Sequence, residues 1–177
     1  MKRLCKQPMA FLLAALTLGA AGCSDDCSEN KNALPLAGFY SISDPIRKVQ
    51  VSGLEVIGVG APGDSVLSEA SVTKDEVYLP FRIDSDTTSY AFRYYYVEEG
   101  DSVAKAMADT LTFIYTRTPR LASAECGVSY RFDIRDIRKC GALIDSVACP
   151  EGYIDNQNVM NLKIFFAAAP DAEDQPQ

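Results

Sequence analysis

The sequence predicts an all-β domain, an antiparallel β-sandwich that is broadly immunoglobulin-like. Apolar and polar residues alternate in several short runs, most clearly over residues 128–135 and 110–116, and this is the period of a half-buried strand. Turn-forming residues separate the runs roughly every 8–15 positions. Because no long amphipathic helical pattern interrupts them, two packed sheets are expected. A closed up-and-down barrel is the alternative.

About eight strands are predicted. Tyr90, Phe92, Tyr94 and Tyr96 share one face of a strand, and we expect that face to be buried. Pro80 cannot donate to a β-ladder, so its strand is expected at an edge or a bulge. Residues 98–107 fit either a short helical turn or a hairpin tip. The predicted strands are 39–43, 49–59, 78–83, 90–97, 110–116, 128–135, 143–149 and 162–166.

Four regions are expected along the chain. Residues 1–22 have a basic start and an apolar core, residues 23–35 are polar without periodicity, and strand patterns fill residues 36–169. The tail 170–177 is acidic and is expected to be disordered. These regions are interpreted as a signal peptide, a flexible tether, the sandwich domain and a disordered tail.

Cys23 lies at the end of the first region, directly after Ala20-Ala21-Gly22. The apolar run before it covers about 13 residues, fewer than the roughly 20 that a membrane-spanning helix needs. Small residues before a cysteine resemble the lipobox of bacterial lipoproteins, in which that cysteine is acylated and becomes the mature N-terminus. The resemblance implies that Cys23 carries the lipid anchor.

Composition excludes several function classes. The chain has 17 basic and 24 acidic residues, and loss of residues 1–22 would remove three basic ones, leaving 14 against 24 and a formal charge of −10. Such a surface repels phosphate backbones, so no nucleic-acid partner is expected. The chain has no histidine, which excludes Ser-His-Asp and Cys-His catalysis and imidazole-based zinc sites. No cofactor and no metal are expected.

Four cysteines remain for disulfides in an exported chain: Cys27, Cys126, Cys140 and Cys149. They allow three pairings. We favour Cys27–Cys126, which would tie the tether to the domain, with Cys140–Cys149 closing a local loop. A zinc site built from the four thiolates is the alternative, although paired C-x-x-C knuckles are missing.

Two loop motifs match patterns of binding sites but also fit ordinary turns. Residues 58–63 match G-x-G-x-x-G, but too little helical sequence follows for a dinucleotide site, so a turn between strands is predicted. Oxygen ligands are close together in sequence in two loops, at Asp84 and Asp86 and at residues 155–158. Both lack the EF-hand pattern, and turn chemistry is the preferred interpretation.

Two groups of side chains are candidates for a site. Carboxylate pairs such as Glu98/Glu99 and Asp133/Asp136 could serve a hydrolase only if they faced each other across a cleft. Tyr95, beside Arg93 on the polar face of its strand, is the better candidate for ligand contact, since an exposed tyrosine offers apolar area with a polar end.

Short motifs also resemble a family of small Bacteroidales (Bacteroidetes) envelope lipoproteins of unknown function. They are Cys27, Leu36-Ala37-Gly38-Phe39-Tyr40, Asp109-Thr110-Leu111-Thr112-Phe113, Glu125-Cys126-Gly127, Ile144-Asp145-Ser146-Val147 and Asn161-Leu162-Lys163-Ile164-Phe165-Phe166. Cys23-Ser24-Asp25-Asp26 is similar to the surface-export signal of such lipoproteins.

The resemblance implies a lipid-anchored, non-catalytic accessory or binding protein of the outer membrane, either surface-exposed or on the periplasmic face. It also implies an outer-membrane β-barrel protein as a neighbour. A surface glycan-binding module and a carboxylate-dependent hydrolase are the alternatives.

Overall fold

The computed structural model describes residues 34–61, 63–98, 100, 102–123, 127–155 and 160–167, and over these residues the domain is all-β without a helix. It has eleven strands in two sheets. In chain order they are β1 Leu36–Ser41, β2 Asp44–Lys48, β3 Leu54–Val59, β4 Val66–Ser68, β5 Glu76–Tyr78, β6 Thr87–Tyr96, β7 Lys105–Ser123, β8 Gly127–Cys140, β9 Ile144–Ala148, β10 Tyr153–Ile154 and β11 Met160–Phe166. The predicted sandwich is confirmed. No helix among these residues is long and apolar enough to cross a membrane.

The smaller sheet has the order β2-β1-β11-β9, and β5 pairs with the first half of β1. Its central pair, β1 and β11, is parallel, with Phe39 opposite Ile164. This pair is a parallel exception within the predicted antiparallel sandwich. Asn161 helps to fix the pairing, because its buried side-chain oxygen accepts a hydrogen bond from the Leu36 amide at 3.2 Å.

The larger sheet has the order β10-β8-β7-β6-β3-β4, and all its pairs are antiparallel. The β7–β8 hairpin is its longest element, paired from Thr110–Cys140 to Ser123–Gly127. β6 and β7 pair as a hairpin up to Tyr96 and Lys105, which favours the hairpin interpretation of the region between them. Residues 60–64 form the predicted turn, where Gly60 and Gly63 adopt φ values of +71° that favour glycine.

The core lies between the sheets and is rich in aromatic rings. The predicted alternation holds in β6 and β7, where Tyr90, Phe92, Tyr94, Leu111 and Phe113 are buried. In β8 it holds only at the centre: Phe132 is fully buried, whereas the exposed fraction of Val128 is 49%. The expectation that Val128 packs in the core is therefore wrong, because β7 and β8 extend there beyond the ends of β10 and β6.

Residues 79–83 do not form the predicted strand. Leu79 and Phe81 are buried as the alternation predicts, but no β-ladder includes them. Tyrosine hydroxyls take the place of strand partners: Tyr90 donates to the Pro80 carbonyl at 2.5 Å, and Tyr115 donates to the Arg82 carbonyl at 2.9 Å. The segment is thus held by side chains that alternation alone does not reveal.

Thr88 completes this attachment. Its hydroxyl accepts a hydrogen bond from the Arg82 amide at 3.0 Å and lies 2.7 Å from the Tyr115 hydroxyl. Since Tyr115 donates to the Arg82 carbonyl, the hydroxyl proton of Thr88 is directed to Tyr115, which closes a ring of three hydrogen bonds. Above this ring, Phe81 stacks on Tyr115 with their ring centroids 4.8 Å apart.

The predicted Cys140–Cys149 disulfide is absent, and both residues are free thiols. The Cys149 carbonyl accepts from the Gly152 amide, and the Gly152 carbonyl accepts from Ile134 in β8. Cys140 lies six residues further along the same strand, a separation of about 20 Å at roughly 3.3 Å per residue. A disulfide needs Cα atoms within about 7 Å, so this strand register is incompatible with the bridge. The other predicted partners, Cys27 and Cys126, lie outside the described residues.

Asp109 joins the two sheets at one end of the sandwich. Its side chain is buried, and its two oxygens accept hydrogen bonds from the Leu143 and Ile144 amides at 3.1 and 2.8 Å. Gly141 passes so close that a Cβ there would lie 1.8 Å from the carboxylate. The aspartate therefore fixes the connection through which the chain passes from β8 to β9.

We expect Asp109→Ala to reduce the free energy of unfolding by about 3 kcal/mol, because two buried amides lose a charged acceptor. Urea denaturation of the variant and the parent protein measures the change. Asp136→Ala is the matched control, since Asp136 is half exposed in β8, and its effect should stay within about 0.5 kcal/mol. Equal effects of the two substitutions would contradict the anchoring role of Asp109.

Burial raises the pKa of Tyr90 and of Tyr115. Because the folded state disfavours the phenolate, the stabilisation is complete below the unfolded tyrosine pKa of about 10 and is lost as the pH rises above it. We therefore expect the free energy of unfolding to fall above about pH 10. In Tyr90→Phe the alkaline decline should be shallower, as denaturant titrations from pH 8 to 11 would show; an unchanged slope would contradict this.

Candidate functional site

The outer face of the larger sheet carries a cluster of Tyr95, Arg93 and Glu55. Alternation in β6 turns Arg93 and Tyr95 away from the core, and the register places Glu55 of β3 directly opposite Arg93. The exposed fraction of Tyr95 is 40%, so the predicted exposed position of this residue is confirmed. Gly53 lies just before β3 and has a φ of +75°, and its carbonyl accepts a hydrogen bond from the Tyr95 amide at 2.8 Å.

Glu55 links the two predicted contact residues. The Tyr95 hydroxyl donates to its Oε2 atom at 3.3 Å, and Arg93 Nη1 lies 3.5 Å from the same oxygen. Ala106 of β7 is in register with Tyr95, and its small side chain leaves one side of the tyrosine ring open. An open aromatic ring beside a carboxylate and a guanidinium can stack on a flat apolar surface while it bonds hydroxyl groups.

A second concave feature lies where β3, β4 and β6 meet the segment 79–86. It is a cavity of about 560 Å³, lined by Gly58, Ala61, Leu67, Pro80 and Tyr90 among others. Its walls are mainly apolar, and its size falls in the range of ordinary small-molecule pockets. Residues 58–61 of the glycine-rich motif thus line a cavity, a role that the sequence pattern did not suggest.

Three of the four acids named as candidate carboxylate pairs are described, and each of them bonds a basic side chain. Asp133 accepts from Arg131 and Asp136 from Arg138, each pair on the same strand at 2.8–3.0 Å. Glu98 pairs with Lys105 across the β6–β7 connection, and Glu99 lies outside the described residues. These acids are bound by their own neighbours.

The loop acids predicted as turn formers are also paired with arginines. Asp84 lies 3.1 Å from Arg82 Nε, which lowers the pKa of Asp84 through a side-chain hydrogen bond, and Asp86 lies 2.8 Å from Arg117 Nε. Across the part of the chain that the structure describes, no three metal-ligating side chains come together. The predicted lipidation residue, Cys23, lies outside that part.

Two features were missed by sequence reasoning. The cavity depends on the path of residues 79–86, which tyrosine hydroxyls determine. The predicted strand ends at residue 116, because residues 117–123 contain two arginines and a proline and show no clear alternation. The structure instead continues β7 to Ser123, beyond the end of β6, and the exposed fraction of Leu121 is 75%.

No curated protein and no solved structure shows significant similarity to the chain. One family model matches residues 53–166, from the start of β3 to the end of β11. This range contains four of the motifs on which the family resemblance was based, while Cys27 and Leu36–Tyr40 precede it. The chain belongs to a family of unknown function, DUF6452.

Proposed function

We propose that the protein is a lipid-anchored, non-catalytic accessory or binding protein of a Bacteroidetes outer membrane. The observation that carries the proposal is Cys23, which follows a short apolar run and the small residues Ala20-Ala21-Gly22. Two or three acyl chains on that cysteine would hold the protein stably, because each buried methylene contributes about 0.8 kcal/mol.

The contacts of the family motifs support a structural role for those motifs and not a catalytic one. Asp109 accepts hydrogen bonds from the Leu143 and Ile144 amides, at the start of the motif 144–147. Asn161 accepts one from the Leu36 amide, at the start of the motif 36–40. Hydrogen bonds between the motifs stabilise the fold. A catalytic site would instead bring polar side chains together in a cleft.

The alternative of a carboxylate-dependent hydrolase has little support. Such chemistry needs two carboxyl groups on either side of a bound sugar, one of them with a raised pKa. The acids that motivated it lie beside arginines on their own strand, with Asp133 next to Arg131 and Asp136 next to Arg138.

Replacement of Cys23 tests the anchoring. We expect Cys23→Ser to abolish acylation. The variant should no longer label with a palmitate analogue and should no longer sediment with the membranes. Cys27→Ser is the matched control, four residues further on, and should label like the parent protein. If Cys23→Ser labelled as strongly as Cys27→Ser, Cys23 would not be the anchor.

A second candidate function is glycan binding at the Tyr95–Arg93–Glu55 cluster. The specific observation in its favour is the open ring of Tyr95 next to two groups that bond hydroxyls. Aromatic stacking with adjacent hydrogen-bonding groups suits the mixed apolar and polar surface of a sugar ring.

We expect Tyr95→Ala to remove binding to any glycan that the parent protein retains on an array, with no change in melting temperature. The matched control is Tyr78→Ala, which removes a similarly exposed tyrosine from β5 in the other sheet. A parent protein that binds no glycan, or equal binding by both variants, would contradict this second function.

A further inference from the structure

The β7–β8 hairpin extends beyond the rest of its sheet. The β6 strand begins at Thr87, opposite Ile114, whereas β7 and β8 remain paired as far as Ser123 and Gly127. Residues 117–123 and 127–131 are called the arm below. At roughly 3.3 Å per residue, the arm projects about 26 Å beyond Tyr115.

The tip of the arm is apolar and exposed. Leu121 and Val128 are cross-strand partners, and their exposed fractions are 75% and 49%. They continue the face on which Phe132 is buried, but no strand of the described domain covers them. Uncovered apolar pairs on a projecting hairpin are typical of a contact surface.

The arm is also basic, although the whole chain is acidic. Over residues 117–131 the sequence has three arginines, Arg117, Arg120 and Arg131, and one acid, Glu125, in the connection between the two strands. Arg117 pairs with Asp86, and Arg131 pairs with Asp133 and lies 3.8 Å from the centre of the Tyr153 ring. Arg120 precedes Leu121 and pairs with Ser129, so it lies on the face of the arm opposite to Leu121 and Val128. Its position near the tip is exposed.

The described chain enters the domain at the same end as the arm. The Pro35 carbonyl accepts from the Leu79 amide, and two residues later Phe81 stacks on Tyr115 at the base of the arm. The end of β11 lies at the opposite end, where the Ala167 amide bonds the Leu143 carbonyl beside Asp109. Because β1 runs parallel to β11, β1 must begin at the arm end.

We infer that the arm is a second membrane contact, in which Leu121 and Val128 enter the lipid interface and Arg120 faces anionic headgroups. This inference rests on the proposed anchoring through Cys23. Apolar side chains beside arginines are the composition that binds an anionic lipid surface.

The length of chain between anchor and domain permits this contact. Residues 23–33 span at most about 36–40 Å when fully extended, which exceeds the length of the arm. A lipid on Cys23 therefore leaves enough chain for the arm tip to reach the bilayer surface. The arm would then limit the orientations in which the outer face of the larger sheet is presented.

A single tryptophan provides the test, because the chain contains none. Leu121→Trp is introduced into the full acylated protein, reconstituted in phosphatidylethanolamine–phosphatidylglycerol vesicles with brominated acyl chains. We expect its fluorescence to shift to the blue and to be quenched by the bromine. Ile46→Trp is the matched control, since Ile46 is 85% exposed in the β1–β2 hairpin at the opposite end, and it should remain unquenched.

Arg120→Glu in the Leu121→Trp protein tests the charge. It should reduce the quenching in vesicles that contain phosphatidylglycerol and leave it unchanged in neutral vesicles. An equal loss in both would contradict the contact with anionic headgroups.

The outcomes separate this inference from the proposed function. If the protein is acylated and floats with vesicles while Leu121→Trp is no more quenched than Ile46→Trp, the arm contact is wrong and the anchoring stands. If the protein lacks acyl chains but Leu121→Trp is still quenched, the anchoring is wrong and the arm contact stands. A blue shift without bromine quenching would show that protein covers the tip, which also overturns the membrane contact.

Discussion

Phe81 stacks on Tyr115 at the end of the sandwich where the described chain enters, and this contact holds the segment 79–86 against the larger sheet. The Tyr115 hydroxyl also donates to the Arg82 carbonyl of the same segment. Residues 79–86 belong to no strand, so aromatic burial and hydroxyl bonds hold the middle of the segment. Backbone bonds hold its two ends, from the Leu79 amide to the Pro35 carbonyl and from the Tyr115 amide to the Asp86 carbonyl. The cavity near Tyr90 and the base of the arm both depend on this attachment.

The two ends of the sandwich consequently differ. At one end Asp109 fixes the connection between β8 and β9, so that the backbone is internally bonded. At the other end the chain enters, the arm projects and the apolar residue Leu121 is exposed. With an anchor at Cys23, this asymmetry would orient the domain on a membrane, and the Tyr95 face would then lie along the side of the molecule and not beneath it.

Strand periodicity was enough to predict the sandwich and the buried face of β6, because a residue's side of a strand depends only on its neighbours in sequence. The parallel β1–β11 pair was not predictable, since both pairing directions bury the same residues. Leu79 and Phe81 have the predicted burial, whereas Ile83 is exposed, and the segment joins no ladder because Tyr90 and Tyr115 bond its carbonyls. The exposure of Tyr95 followed from alternation, whereas its link to Glu55 required the register between strands. The separation of Cys140 from Cys149 likewise depended on the turn after β9.

If the domain is held at the membrane through Cys23, mass spectrometry of the intact protein purified from membranes will show the lipid. We expect a mature chain that begins at Cys23 and carries the added mass of two or three acyl chains. A chain that begins at Met1, or an N-terminal peptide in which Cys23 is unmodified, would rule out the proposed anchor.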